Sequence, residues 1–133
     1  MAIGIVLATP AQAHSPVVLK SKTIERTPEA AKKHAKVLMA SYGWHSEKEW
    51  QCLINLWTKE SNWRPNAHNK QLVKVKIDGK WVYVQAGGIP QILGLDPKTP
   101  VEKQILLGMQ YITNRYRTPC KAWQFWSSGK GWY

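Results

Sequence analysis

Between Trp50 and Pro65 the chain reads WQCLINLWTKESNWRP, and this stretch restricts the fold more than any other. Trp50, Leu53, Ile54 and Trp57 recur at i, i+3, i+4 and i+7, the spacing of one face of an α-helix. A face that bulky belongs against a core rather than in water. Ser46, with Glu49 three residues on, forms a capping-box pattern that opens the helix, and Arg64-Pro65 is expected to stop it. At 100° per residue, Glu60 falls in the last turn beside Leu53 and Leu56, at the margin of the apolar face. The chain has only 8 Asp and Glu, so an acid at the end of an apolar helix needs a reason.

Other segments supply what such a helix could pack against. Thr27-Pro28-Glu29 reads as a helix start, with Thr as cap, Pro at the first helical position and Glu at the positive end. Ala31, Ala35, Leu38 and Tyr42 follow roughly on one stripe, and Gly43 is a stop. Thr99-Pro100-Val101-Glu102 starts another helix, capped by Thr99, whose inner stripe is Val101, Ile105, Gly108, Ile112 and Tyr116. Gly108 in mid-helix implies a close contact with another element. Between these helices VKVKIDGKWVYV alternates on both sides of Asp78-Gly79, a hairpin signature. Two glycines in Ala86-Gly87-Gly88-Ile89-Pro90-Gln91 permit close backbone approach, and Pro90 prevents regular helix there. Helices flanking one small hairpin make an α+β class.

With 133 residues the chain has room for one domain. Its net charge of +11 calls for anionic partners: nucleic acid, an acidic bilayer or the anionic polymers of a bacterial wall. The start, MAIGIVLATPAQA, has an apolar run from Ala2 to Ala8 and an Ala11-Gln12-Ala13 cleavage pattern, and reads as a signal peptide over residues 1–13. It lacks the usual leading Lys or Arg, and an ordinary N-terminal strand is the competing reading. Residues 14–26 have no clear period and read as a linker, which leaves 27–133 as the folded domain. No apolar run approaches the roughly 20 residues that span a bilayer. Cys52 and Cys120 are the only cysteines. If the chain is exported, an even count favours a disulfide, worth roughly 4 kcal/mol in the chain-entropy account of so long a loop. Two unrelated buried thiols are the alternative. Without paired histidines nearby they make no zinc site, and the four histidines are scattered, so no metal or cofactor is expected.

Cleaving a glycosidic bond needs a proton donor for the leaving oxygen, and an ordinary Glu is ionised at neutral pH. Apolar neighbours and the negative end of its own helix would raise the pKa of Glu60, while Lys59 and Arg64 would oppose the shift. The bland alternative is a helix-end Glu paired with one of those cations. Spacing alone leaves both open.

The order of Glu60-Ser61-Asn62-Trp63, then Gly88-Ile89-Pro90-Gln91-Ile92, then Pro100…Gln104-Ile105…Gly108…Tyr111-Ile112 resembles the soluble lytic transglycosylases of the lysozyme-like superfamily. CLINLWTKESNW…GGIPQ…PC-x-AW…WY is similar to secreted actinobacterial and phage-borne members, which share the two-cysteine frame and the closing Trp-Tyr. The resemblance covers residues 40–133. It implies a lysozyme-like, mainly helical fold with the hairpin bordering a substrate cleft. It also implies cleavage of the β-1,4 bond between N-acetylmuramic acid and N-acetylglucosamine, with a 1,6-anhydro product. On this resemblance Glu60 is the single acid and base, Ser61 the adjacent structural and substrate-contacting residue, Gln91 part of the turn lining the cleft, and Tyr111 a residue of the matching helix. Pro90 stands where the family usually has Met. Ala122-Trp123-Gln124 stands nearest to the usual Ala-Tyr-Asn, so either Trp123 takes the place of the cleft tyrosine or that contact is lost.

Partners on this reading are peptidoglycan strands, met by a monomer in the cell envelope, outside the cell or in a phage context. A lysozyme that uses water with the same Glu60, or a non-catalytic wall-glycan module, are alternatives. A nucleic-acid binder fits the charge, but no helix-turn-helix, zinc or aromatic-sheet motif accompanies it. Trp50 and Trp57 are expected in the core. Trp63, Trp81 and Trp126 could pack or stack on sugars. Lys74, Lys76 and Lys80 could meet acidic polymer or simply guard a strand edge.

Overall fold

The computed structural model describes residues 2–5 and 23–133. The expected leader cleavage pattern and most of the expected linker therefore lie outside the described residues. Residues Ala2–Ile5 form strand β1. The chain continues through helices α1 (Pro28–Leu38) and α2 (Glu47–Ser61), strands β2 (Val73–Ile77), β3 (Lys80–Val84), β4 (Ala86–Gly87) and β5 (Ile92–Leu93), and helices α3 (Val101–Tyr116) and α4 (Pro119–Phe125). A 3-10 turn over Met39–Tyr42 extends α1, and a wide π turn over Trp126–Lys130 extends α4. The class is α+β and mainly helical, as the sequence pattern predicts.

Local chemistry explains most element ends. The Thr27 hydroxyl accepts the amide of Ala30 at 3.2 Å, and Pro28 occupies the first turn of α1. Gly43 closes the 3-10 turn at φ 75°, a left-handed conformation that costs glycine little. Ser46 caps α2 by accepting the Glu49 amide at 3.1 Å. Glu49 does not return the bond to Ser46 as a capping box would. Its carboxylate instead accepts the amide of Cys120 at 2.8 Å, at the unsatisfied N-terminus of α4. Two further expectations are corrected. α2 is not stopped by Arg64-Pro65; Asn62 ends it in the left-handed region (φ 55°), and Trp63 follows at φ 60°. Thr99 does not cap α3; Pro100 holds that position without a side-chain bond, and the Thr99 carbonyl accepts from Arg26 and Gln104 instead.

Trp57, Leu53 and Leu56 are fully buried, and Trp63 is buried with them, its ring centroid 5.1 Å from Trp57 in an edge-on pair. Packing thus settles the role of Trp63. Ala31 and Ala35 of α1 and Ile105, Met109 and Ile112 of α3 complete the core around them. The disulfide joins Cys52 of α2 to Cys120 of α4, with Cα atoms 4.9 Å apart. β2 and β3 form an antiparallel hairpin turned by Asp78 (φ 49°) and Gly79 (φ 78°), the torsions of a type I′ turn. A second small sheet has the order β1-β5-β4, with β1 parallel to β5 and Ala2 buried against it. Arg26, in the expected linker, is tied to the body through Asn66 and the carbonyls of Pro97 and Thr99.

Gly108 meets α2 as its position in α3 predicts. A Cβ built there would stand 2.6 Å from the Trp57 ring and 2.9 Å from Pro90 Cβ. Gly108→Ala should therefore destabilise the fold by about 1–3 kcal/mol, although alanine is the better helix former. Urea unfolding measures this. An unchanged or raised midpoint would mean that α3 can step away from Trp57 without loss.

Candidate active site

Glu60 sits in the last turn of α2, half-buried, with Leu56 and Trp57 of the same turn fully buried behind it. Its Oε1 accepts a hydrogen bond from the indole Nε1 of Trp126 at 3.0 Å. Trp126 stacks on Trp123, centroids 5.6 Å apart and planes 17° from parallel, and both rings are half-buried. A carboxyl at a helix end is thus flanked by an aromatic pair carried on α4 and the turn that follows it. Burial raises the pKa of Glu60; the positive charge of the amino terminus and its hydrogen bond, and after them the bond from Trp126, oppose the shift. Lys59 and Arg64 are not the opposing groups: Lys59 is exposed, and Arg64 Nε donates back to the Ser61 carbonyl at 3.0 Å.

The raised pKa has a consequence for stability. The folded chain holds the Glu60 proton more tightly than the unfolded chain, whose carboxyl titrates at about 4.3. Between the two values the native state binds more protons, so stability falls as pH rises. Whatever burial of the neutral acid contributes is present below the unfolded value and lost through the folded one. Glu60→Gln should therefore be more stable than wild type at pH 7, with the difference shrinking toward about pH 4. Unfolding curves across that range test it. A variant less stable at neutral pH would show that the ionised carboxylate is held by contacts that outweigh its burial.

The turn below Glu60 is built on inward hydrogen bonds. The buried Ser61 hydroxyl donates to the Ile89 carbonyl at 2.6 Å, fixing α2 to the Gly88–Gln91 turn. Gln91 is 4% exposed and in the left-handed region (φ 52°). Its Nε2 donates to the carbonyls of Gly88 (3.0 Å) and Ala67 (3.2 Å), so this side chain braces the turn from within. Gln104 of α3 is completely buried beneath it. Its Oε1 accepts the Ile89 amide at 2.8 Å, and its Nε2 faces the carbonyls of Pro65, Pro97 and Thr99 at 3.0–3.1 Å. Gly88 (φ 74°) has no room for a side chain, since a Cβ would lie 2.6 Å from Gln104 Oε1.

Tyr111 and Tyr133 pack together on the far side of the Pro90 carbonyl. The Tyr111 hydroxyl donates to the Tyr133 carbonyl at 2.9 Å, and the rings meet edge-on at 5.3 Å. The Tyr133 hydroxyl accepts from Trp57 Nε1 at 3.0 Å and donates to the Pro90 carbonyl at 2.8 Å. Burial, chiefly, pushes both phenols above their ordinary value, and the charge on Glu60 adds in the same direction. Both stay protonated and serve as donors.

Of the residues singled out from sequence, Glu60, Ser61, Gln91 and Tyr111 thus share one network, with Trp123 reaching Glu60 through Trp126. Trp126, Gln104 and Tyr133 are the additions. The other acids have their own places: Glu47 pairs with Lys36, Glu49 accepts from Cys120, Asp96 accepts the Lys98 amide, Glu29 and Glu102 lie in the first turns of α1 and α3, and Glu25 and Asp78 are exposed, the latter in the hairpin turn. Among the described residues, no group of three or more His, Cys, Asp or Glu could hold a metal ion, and no helix is long and apolar enough to cross a membrane. Fold and site define a small, disulfide-tied α+β domain with a half-buried carboxyl of raised pKa beside stacked indoles. No protein-family model, curated protein or solved structure matches the chain.

Proposed function

We propose that the chain is a peptidoglycan lytic transglycosylase in which Glu60 is acid and then base. The observation that carries the reading is the carboxyl of Glu60, half-buried, raised in pKa by that burial and placed beside the Trp123–Trp126 stack. A protonated Glu60 would give its proton to the glycosidic oxygen as the bond to muramic C1 breaks. The resulting carboxylate would take the proton of the 6-hydroxyl as that oxygen bonds to C1, closing the 1,6-anhydro ring. Glu60 ends as it began, with no water consumed. This chemistry requires one carboxyl, and no other carboxylate contributes to the titration of Glu60. Indole faces suit sugar rings, which gives the exposed parts of Trp123 and Trp126 a substrate-facing role. Ser61, Gln91 and Tyr111 act as positioning residues through the bonds described above. A disulfide persists in oxidising compartments, in keeping with export to the cell envelope or beyond.

Digestion of purified peptidoglycan, with mass analysis of the released fragments, tests the reading. Anhydro-muramyl ends are expected. Reducing ends would assign the lysozyme reaction, in which water replaces the 6-hydroxyl. Wall binding without release would assign a glycan-binding module.

A further inference from the structure

The β2–β3 hairpin plays no part in the network around Glu60 and packs chiefly on itself. Its two faces differ. Val73, Val75, Ile77, Val82 and Val84 are half-buried on one; Lys74, Lys76, Trp81 and Tyr83 are exposed on the other. The register places Lys74 opposite Tyr83 and Lys76 opposite Trp81, so these four side chains form one continuous surface. Lys80 lies opposite Ile77 and belongs to the other face. Trp81 and Tyr83 are 61% and 65% exposed, high for large aromatic side chains, and neither contributes to the core. The ammonium groups of Lys74 and Lys76 stand 5.1 Å and 5.8 Å from the Trp81 ring centroid, each held there by the ring's quadrupole.

We infer that this face is a docking surface for an anionic polyol-phosphate polymer of the wall, separate from the site at Glu60. The choice of a wall polymer rests on the function proposed above; the need for an anion rests on the hairpin itself. Two lysines on one strand face stand about 7 Å apart and carry no carboxylate between them. The indole holds both ammoniums in place, which lowers the cost of ordering them on a phosphate chain. Lysine recognises phosphate as a point charge, so a flexible chain of spaced phosphodiesters suits the pair without fixed geometry. Stacked nucleobases suit it less, because the Trp81 ring is already engaged by cations and single-strand binding uses open aromatic faces. An anionic bilayer also suits it less, since the hairpin tip that would lead into it carries Asp78. The charge pair would hold the enzyme on its polymeric substrate between cleavage events.

Calorimetric titration of the full chain with purified poly(glycerol phosphate) at low salt tests the inference. The double variant Lys74→Glu/Lys76→Glu should bind at least about tenfold more weakly, and wild-type binding should weaken as salt rises. Trp81→Ala should weaken binding by a smaller factor, because the lysines remain but are no longer held. Release of fragments from short glycans that lack phosphate polymer should be unchanged in all these variants. Equal binding by wild type and the double variant would overturn the inference. So would tighter hairpin-dependent binding to phosphatidylglycerol vesicles or to a single-stranded oligonucleotide. If no glycan is cleaved but polymer binding depends on the hairpin, the transglycosylase reading fails and the docking surface stands.

Discussion

Glu60→Gln should lower fragment release from peptidoglycan by at least about 100-fold, the lower end of what a positioned general acid supplies. The amide has nearly the same shape and keeps an oxygen to accept the 3.0 Å bond from Trp126, so the stacked indoles stay where they are. What it loses is a transferable proton at the oxygen. No other Asp or Glu contributes to the titration of Glu60, so no second carboxyl couples to it. Loss of activity together with an unchanged or raised unfolding midpoint would separate a chemical role from a structural one. A variant that still released fragments at the wild-type rate would remove Glu60 from the chemistry.

The second large effect is expected at Gln104→Leu. Leucine fits the volume and suits an apolar helix face, yet it would take bonds from four backbone groups and strand two of them. The buried Ile89 amide would lose its acceptor and the buried Pro65 carbonyl its donor, while the half-buried carbonyls of Pro97 and Thr99 would lose one donor and keep Arg26. Each unpaired buried group costs about 1–3 kcal/mol, and partial relief by water or by Arg26 at the Pro97 and Thr99 carbonyls reduces the sum. A loss on the order of 3–5 kcal/mol is expected in denaturant unfolding. Gln104→Glu tells packing from bonding, since it keeps the acceptor for Ile89 and loses the donor. A full-strength Gln104→Leu protein would mean that the Gly88–Gln91 turn holds itself.

Much of this was legible along the chain because the signals are local. The face of α2 is written in four residues, the hairpin in Asp78-Gly79 between alternating runs, and the helix starts in Thr27-Pro28 and Ser46. Gly108 is the instructive success: a glycine in a good helix marks a neighbour, and the neighbour is Trp57. Short elements were missed for a physical reason. β4 and β5 have two residues each, too few to express a period. α4 has seven residues and was hidden among aromatics, although Thr118-Pro119 repeats the Thr-Pro start of α1, with the Thr118 hydroxyl accepting the Lys121 amide at 3.3 Å. The partners of Glu60 were harder. Trp126 lies 66 residues from it in sequence, and nothing in local pattern says which of eight tryptophans will turn its N–H toward a carboxyl. Gln104, beside the apolar stripe of α3, had no task visible in local pattern, because the groups it satisfies come from three separate loops. Glu49 kept its capping look while its carboxylate served a different helix.

The Cys52–Cys120 bond also works as the hinge pin of a pair of tongs. One jaw is α2, running about 12 Å from Cys52 to Glu60 at the usual rise per residue. The other is α4 with its following turn, which carries Cys120 near one end and Trp126 beyond the other. Glu49 clips the same corner by holding the Cys120 amide. With both jaws fixed at the pin, the gap between carboxyl and indole is set by the length and lean of two helices rather than by any loop. A residue inserted into or removed from α4 would rotate Trp126 by about 100° about the helix axis and open the jaws without touching either tip.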